Sequence, residues 1–426
     1  MGGHKDIPRA SRECTFALVR SGYPYISSQC DRLGSNLFYA RLMLQKTLFM
    51  RGEEAAELFY NSDLFTRQNA APKRLQKTLF GVGGVQGLEG VEHQQRKSLF
   101  LPLLSQLRID ELMQYVQHEW QARLPHWQSQ PSIVLLDEMH LLLCRAACQW
   151  CGIPLHEEDT PALTKRLVLM IEGAAAIGPK YFASRRARHL TENALITIID
   201  EHRQHPDNAD RTLLFAKFAD AEDTHGELLP SRIVAVELLN VIRPIVAAAR
   251  YMVFAVMAIH DHPHCREALA PSASDTYRRY FIQEVRRYYP FFPFLAARVK
   301  KDFTWHGYDF KEGRLAILDI YGTNHCPHRW ENPEQFNPQR FEQEEDDVNQ
   351  FAMIPQGGSD HATHHRCPGE RITLALIDFA VERFTRELDY EIPPQDMAID
   401  LNVMPARPRS GLMMSNVRAR PSPSIT

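Results

Sequence analysis

The chain lacks the cysteine framework of a secreted domain. Its eight cysteines are scattered over 426 residues, a usage that suits a reducing cytoplasm. The first thirty residues carry charges at Lys5, Asp6, Arg9 and Glu13 and contain no apolar core of signal-peptide type. We therefore expect no export and a soluble, cytoplasmic protein, of the kind that a bacterial cytoplasm holds.

Neither sign of charge is in excess, and no segment is biased enough to be a linker. Lysine and arginine number 49 against 52 aspartate and glutamate, for a net charge of −3. Nothing in this balance implies nucleic acid as a partner. With 44% hydrophobic residues the chain can bury a large core. We expect a single domain over 1–426, in which residues 415–426 form a disordered tail rich in proline and serine.

A glycine-rich stretch between Gly81 and Gly90 lacks the features of a phosphate cradle. No GK[ST] follows it and no Rossmann strand precedes it, so nucleotide binding is not predicted. The next segment predicts a helix from about Val91. On this helix His93, Arg96 and Lys97 stand at i, i+3 and i+4 and share a face, which either holds an anion or is simply solvated.

The longest apolar stretch, Ser231 to about His260, is too often interrupted to be a membrane span. Charged and polar residues such as Glu237 and Arg243 fall inside it, and charges at a bilayer centre are costly. Arg243 has no acid at i±3 or i±4, so it needs an anion or an acid from another helix. Pro244 frees a helical carbonyl and predicts a kink.

A late segment, FAMIPQGGSDHATHHRCPGER, places Cys367 just ahead of a predicted helix. The start of a helix favours a thiolate, the form that binds metal or attacks. Three interpretations are open: a buried core cysteine, a zinc site with His361, His364 and His365, or a catalytic thiolate. By contrast, Cys144, Cys148 and Cys151 recur on one face of an apolar helix and are interpreted as core rather than as metal ligands.

The periodicity predicts a mainly α protein with a small β region. A small sheet is expected near residues 35–50, and RVKKDFTWHGYDFKEGRLAILDI predicts a hairpin pair of strands. Before that hairpin, Glu284 and Arg287 lie three residues apart on one predicted helix, and Arg340 follows in a proline-punctuated turn region.

Three of these motifs together resemble the haem-thiolate superfamily, the cytochromes P450. QEVRRYYP resembles its Glu-x-x-Arg helix, NPQRF the segment whose arginine completes a buried Glu-Arg-Arg network, and RCPGE the end of its cysteine loop. Order and spacing match from about residue 75 to residue 415. The resemblance implies the P450 fold, a triangular helical prism with haem between the long central helix and the cysteine-loop helix.

The resemblance also implies roles for single residues. Cys367 would be the axial ligand of the iron of haem b. Glu284, Arg287 and Arg340 would form the structural network. The residues expected to bind the cofactor through its propionates are Arg67, His93, Lys97 and His365.

Departures from the usual pattern resemble one branch, the bacterial fatty-acid peroxygenases. In the loop, the usual Phe, Gly and Arg are replaced by Asp360, Thr363 and His365. In the central helix, the acid–alcohol pair that delivers protons is replaced by Arg243 and Pro244. PQGG-x-DH...HRCPGE and the Arg-Pro helix are similar to that branch, which implies that Arg243 clamps a substrate carboxylate.

The implied function is hydroxylation of long-chain fatty acids at the α or β carbon with hydrogen peroxide and without a redox partner. Arginine pairs well with carboxylates, and the clamped carboxylate would act as the general acid/base. Gln86 lies where hydroxylating members carry Gln, and the predicted walls of the acyl site are Phe80, Phe291, Phe292 and Phe294. Alternatives are a decarboxylase that forms terminal alkenes, a reductase-dependent monooxygenase, and a haem- or lipid-binding protein without catalysis.

Overall fold

The structure, a computed structural model, describes residues 5–10, 13–205, 213–270, 275–342, 349–361 and 364–420. Helices dominate it. Within these ranges the α-helices are α1 (Thr15–Ser21), α2 (Tyr25–Leu33), α3 (Glu53–Phe59), α4 (Lys73–Leu75), α5 (Gly90–Ser98), α6 (Gln106–Ser129), α7 (Leu135–Cys151), α8 (Thr160–Glu172), α9 (Pro179–Gln204), α10 (Leu214–Ala219), α11 (Ser231–Ala247), α12 (Ala249–Asp261), α13 (Pro263–Ala268), α14 (Asp275–Tyr288), α15 (Ile320–Asn324) and α16 (Glu370–Glu382).

The strands form a minor part, as predicted. They are β1 (Leu37–Leu42), β2 (Gln45–Met50), β3 (Phe65–Thr66), β4 (Ser132–Val134), β5 (Phe294–Val299), β6 (Phe303–Trp305), β7 (Tyr308–Phe310), β8 (Leu315–Asp319), β9 (Leu388–Glu391) and β10 (Met413–Ala419). One sheet has the order β1-β2-β8-β5-β3, a second β4-β10-β9, and β6 pairs with β7. The predicted hairpin is confirmed and is nested, since β5 and β8 enclose β6 and β7.

The main core lies where α6, α7, α12 and α16 pack around one another and α11 runs between α7 and α9. Apolar residues surround α11 and α12 on all sides, which is the pattern of a helix buried in the interior of a large protein. By length and composition Ser231–Asp261 would suffice to cross a membrane, but 94% of its most apolar window is buried inside the structure. This segment is therefore the central helix of the fold.

The central helix is interrupted close to Pro244, the residue at which a kink is predicted. Pro244 lies inside α11, and the helix breaks one turn later, at Ala248, between α11 and α12. The amide of Ala248 donates to the carbonyls of Pro244 and Ile245, both at 3.1 Å. The missing proline amide is thus tolerated within α11, and the change of hydrogen-bond pattern falls on the following turn.

The predicted disordered tail begins too early. Residues 415–419 belong to β10, where Met413–Ala419 pair with both β4 and β9, so the prediction was wrong for them. Their backbone hydrogen bonds are supplied by neighbouring strands, which the Pro/Ser composition downstream does not reveal. Residues 421–426 lie outside the described residues.

Candidate active site

Cys367 lies in a tight loop immediately before α16, as predicted. Its amide donates to the carbonyl of Gln356 at 2.9 Å. This hydrogen bond joins the two ends of the cysteine loop. Burial raises the pKa of the Cys367 thiol, whereas the amide of Gly369 and the charges of Lys97 and Arg286 act to lower it. Burial and the charge of Glu370 outweigh these groups, so the net pKa of the thiol is raised. The positive groups reduce the cost of forming the thiolate, which is the form that ligates metal.

The loop is fastened by Glu370, a residue that the sequence analysis did not single out. Arg366 donates to its two oxygens at 2.8 and 3.1 Å, and Arg286 on α14 also pairs with it. Burial opposes ionisation of Glu370, but the two guanidinium groups lower its pKa to about 2. An acid in the first turn of a helix, four residues after an arginine, was the available signal.

The zinc alternative is wrong for the part of the chain that the structure describes. His361 is directed to the carbonyl of Cys367 at 3.3 Å and to Glu370 at 3.5 Å. The ring of His365 instead packs on His93, with 4.3 Å between centroids. In the described ranges no group of three His, Cys, Asp or Glu side chains could hold a metal ion. The cysteines of α7 are buried in the main core, as interpreted from the sequence.

The four residues expected at the haem propionates form one cluster beside the cysteine loop. Lys97 donates to the carbonyl of His364. Burial lowers the pKa of His365, and the charges of Arg67 and Lys97 add to the lowering. Burial lowers the pKa of His93 to about 4, helped by His365 and Lys97. Arg67 is held by the carbonyl of Ala296 at 3.0 Å and by the ring of Phe59 at 4.1 Å.

Glu89 is a carboxylate in contact with this propionate cluster, at 3.7 Å from His365. Its oxygen accepts from the hydroxyl of Thr66 at 2.8 Å and the amide of Arg67 at 2.6 Å. Burial works against its charge, but these contacts lower its pKa to about 2. Glu89 therefore holds the backbone at Arg67, while the charge of Asp360 acts on the buried Lys97. The side chains of Arg67 and Lys97 bring two positive charges to one side of the cysteine loop, where an added anion would be stabilised.

Arg96 departs from the shared face predicted for α5. Its guanidinium turns to Glu237 of α11 at 2.9 Å, while His93 and Lys97 face the cysteine loop. Glu237 also accepts from the amide of Val85 at 2.9 Å. Burial raises the pKa of Glu237 although Arg96 and Asn240 act against the shift. This pair ties the glycine-rich loop to the central helix.

Arg243 is buried on α11 without a carboxylate partner among the described residues. Its side chain is 6% exposed and its Nε has no hydrogen-bond partner. Burial lowers the pKa of Arg243 to about 9, the charge of Arg188 adds to the lowering, and the thiolate of Cys367 raises it. The guanidinium thus remains protonated at neutral pH, within electrostatic reach of Cys367, and a buried cation of this kind is stabilised by an anion.

Gln86 and Arg243 are joined through Asn240. The amide nitrogen of Asn240 donates to Glu237 at 2.9 Å and to Gln86 at 3.3 Å. Its oxygen accepts from Nη2 of Arg243 at 3.3 Å. No role was predicted for Asn240 from the sequence. The structure shows that its spacing from Glu237 and Arg243, three residues each way, places all three on one face.

The predicted Glu-Arg-Arg residues lie together. Arg287 donates to both oxygens of Glu284 at 2.7 and 2.8 Å, and Arg340 reaches the same carboxylate at 3.1 Å. Arg287 also donates to the carbonyls of Asn324 and Pro333 at 3.1 and 3.0 Å. The network therefore joins α14 to the loop after α15.

The phenylalanines predicted to line the acyl site pack in several directions, although the rings of Phe291 and Phe292 lie 6.1 Å apart. Phe291 packs on Tyr251 of α12 at 4.8 Å, and Phe292 belongs to the cluster under the large sheet. Phe294 begins β5 and is partly buried against the cluster that includes the N-terminal helices, since alternate residues of a strand face opposite sides. Its place in the wall of an acyl site stays a prediction. Phe80 precedes Gly81, whose φ of +88° brings it against Val236 of α11, where a Cβ would lie at 2.4 Å.

Comparisons with known proteins give a consistent result. The family model "Cytochrome P450" matches residues 275–416. (+)-Menthofuran synthase from Mentha piperita is 30% identical over 133 residues, which span 30% of this chain and 26% of that protein. The chain thus spans about a quarter of the length of the curated relatives it matches.

Two solved structures are similar over nearly the whole chain. Cytochrome P450EX alpha (CYP152N1) with myristic acid is 40% identical, with a TM-score of 0.93 and coverage of 98% of this chain and 100% of that one. A variant of cytochrome P450 OleT in complex with arachidonic acid is 32% identical, with a TM-score of 0.93 and coverage of 98% and 100%.

Proposed function

Because the chain belongs to the cytochrome P450 family, in its fatty-acid peroxygenase branch, we propose that it hydroxylates long-chain fatty acids with hydrogen peroxide. The observation that carries the proposal is Arg243, a buried guanidinium with an unpartnered Nε on the helix that faces the cysteine loop. A fatty-acid carboxylate supplies the anion that this position lacks among the described residues.

The residues present fit a haem. Cys367 would ligate the iron, and the propionate cluster of Arg67, His93, Lys97 and His365 would hold the two propionates, because Arg67 and Lys97 bring two positive charges to one side of the cysteine loop and pairs of such groups with carboxylates are strong. When bound, haem b supplies the iron at which the O–O bond of hydrogen peroxide is cleaved, a step that thiolate ligation favours.

Arg243 binds and orients the substrate. Its planar fork matches a carboxylate in two parallel hydrogen bonds, and burial strengthens charge-assisted pairs of this kind. The carboxylate held there is also the group that takes and returns the peroxide proton, since Arg243 and Pro244 occupy the place of a protein acid. A chain fixed at its first carbon presents Cα and Cβ for hydrogen abstraction, and the products are 2- and 3-hydroxy acids.

Gln86 bears on whether the reaction gives a hydroxy acid or a terminal alkene. Its Oε1 accepts from Asn240 at 3.3 Å, so its amide is oriented beside the carboxylate clamp. A glutamine has no proton to exchange at neutral pH, and this supports hydroxylation over the alternative, decarboxylation to a terminal alkene. A reductase-dependent monooxygenase remains the second alternative, which the absence of an acid–alcohol pair in NVIRPIV disfavours.

Turnover by the purified protein tests the proposal. With hydrogen peroxide, a long-chain fatty acid and no reductase, we expect 2- and 3-hydroxy acids in excess over alkene, measured by gas chromatography with mass spectrometry. The matched reaction replaces peroxide with NAD(P)H and redox partners and should give little product. Product only in that second reaction, or none from protein that holds haem, contradicts the proposal.

We further propose a cytoplasmic location and no obligatory redox partner. All eight cysteines are free thiols, and seven of them are buried, which supports a reducing compartment.

Asn240 is expected to position Arg243 rather than to contact the reacting atoms. Asn240→Ala removes the acceptor of Arg243 Nη2, and a hydrogen bond to a charged group contributes about 1.5–3 kcal/mol, so fatty-acid binding should weaken about tenfold or more. Asn240→Asp should weaken binding further, because the new carboxylate competes for Arg243. Both are measured from the Soret shift on titration with fatty acid.

The Asn240 variants also separate positioning from a general loss of structure. The carbon monoxide spectrum of each variant should match that of the parent protein. Unchanged fatty-acid affinity in Asn240→Asp would contradict the positioning role, because a carboxylate three residues from Arg243 on one helix face lies within pairing distance.

A further inference from the structure

One corner of the molecule combines exposed apolar side chains with basic ones. It consists of the exposed side chains of residues 73–77 and 177–190, called here the corner surface. Ile177 and Phe182 are each 64% exposed and Leu190 is 42% exposed. Single exposed apolar residues are ordinary, but a contiguous group framed by charges of one sign marks an interaction site.

The charges of the corner surface are all positive. Segments 71–88 and 173–191 contain no aspartate or glutamate, in a chain whose net charge is −3. The exposed basic side chains are Lys73, Arg74, Lys77, Lys180, Arg185 and Arg186. Among the residues that the structure describes, Lys180 alone of these six side chains has an acid partner, Glu172 at 3.0 Å.

The two segments form a single surface. Arg74 donates to the carbonyl of Ala176 at 3.2 Å and lies over the ring of Tyr181 at 4.3 Å. Tyr181 packs edge-on against Phe182 at 5.5 Å. Immediately below, Arg188 donates to the carbonyl of Leu79 at 2.6 Å. The exposed Ile177 and Phe182, the basic side chains around them and the residues beside Phe80 therefore belong to one continuous part of the molecule.

We propose that the corner surface docks on a lipid bilayer that carries anionic headgroups. Ile177 and Phe182 would enter the boundary between headgroups and acyl chains, while the lysines and arginines meet the negative surface. The inference rests on the proposed function. Docking here would place the bilayer next to the acyl site, so that free fatty acid passes from the membrane to the protein without crossing water.

An acidic protein that carries acyl groups is the competing occupant. The exposed Ile177 and Phe182 disfavour it, since charge pairing alone does not use them. A carrier also delivers a thioester, which has no carboxylate for Arg243. The two occupants therefore differ in whether the apolar tip contributes to binding.

Co-sedimentation of the haem-loaded protein with vesicles tests the docking independently of catalysis. The probes are vesicles of phosphatidylcholine alone and of phosphatidylcholine with an equal amount of phosphatidylglycerol, at low salt. We expect binding to the anionic vesicles and little to the neutral ones. Arg185→Glu with Arg186→Glu, and separately Ile177→Ser with Phe182→Ser, should each reduce partitioning about tenfold or more.

Matched controls lie at a distant surface. Phe16 and Leu44 are 77% and 78% exposed, and Phe16→Ser with Leu44→Ser should leave vesicle binding unchanged. Arg9→Glu with Arg41→Glu is the matched charge control. An unaltered carbon monoxide spectrum shows that each variant is folded.

The proposal is contradicted if the parent protein does not bind anionic vesicles, or if the control variants lose as much binding as the corner-surface variants. Full vesicle binding by Ile177→Ser with Phe182→Ser would also contradict it, and that result would favour the acidic protein as the partner. Because no turnover is measured, failure of the proposed catalysis leaves the vesicle result interpretable, and the reverse also holds.

Discussion

Cys367→Ser is expected to abolish both turnover and the thiolate spectrum of the haem. The reduced parent protein with carbon monoxide should show a strongly red-shifted Soret band, and the serine variant should not. A serine hydroxyl remains protonated at neutral pH and donates far less electron density to iron than a thiolate does. Absorption spectra of the two purified proteins measure this directly.

A second cysteine gives the control for Cys367. Cys326 is buried in the loop after α15 and is placed in neither the cysteine loop nor the propionate cluster. Cys326→Ser should keep the red-shifted band and the peroxide-driven turnover. If Cys367→Ser retained the band, another side chain would be the ligand, and the assignment of the cysteine loop would be wrong.

Arg243→Ala should lower kcat/KM for fatty acids by about 10⁴-fold or more, because two separate contributions disappear. The buried guanidinium no longer binds the carboxylate, at about 1.5–3 kcal/mol for each charged hydrogen bond. Without the carboxylate in place, the general acid/base contribution of about 10²–10⁴-fold is also lost. Arg243→Lys should fall between, since it keeps the charge but not the planar fork. Initial rates over a range of fatty acid and peroxide concentrations measure both constants.

The split between kcat and KM distinguishes two roles for Arg243. A large rise in KM with unchanged kcat would mean that Arg243 binds substrate but that the carboxylate moves no proton. Arg250→Lys is the matched control for Arg243→Lys, because Arg250 is also buried, on α12, and its contacts are His140 at 3.2 Å and Glu172 at 3.5 Å. Its kinetic constants should change little.

The site residues that the sequence predicted are those whose motif lies within a few neighbouring residues of the chain. Cys367 ahead of a helix, Arg243 on an apolar helix and the Glu284–Arg287 spacing are each visible within a few residues, and the structure places all of them as expected. Resemblance to a family then added the propionate cluster, whose members come from three separate segments. Composition and periodicity alone do not bring such distant residues together.

The residues that the sequence analysis missed act through partners far along the chain. Glu370 meets Arg286 across 84 positions, and Glu237 meets Arg96 across 141. No spacing rule connects such pairs, since tertiary packing creates them. Phe291, Phe292 and Phe294 are neighbours in sequence but pack against different core clusters, because the chain enters β5 there and changes face at each residue.

Because two adjacent arginines of α14 hold separate parts of the structure, haem binding should depend on correct folding of this region. Arg286 fastens the cysteine loop through Glu370, while its neighbour Arg287 fastens Glu284 and the loop after α15. A shift of this helix by one residue would move Arg286 away from Glu370 and Arg287 away from the loop after α15, and would break both attachments together. A misassembled chain would then present no ordered loop to the iron, so that haem content reports native packing throughout this half of the protein.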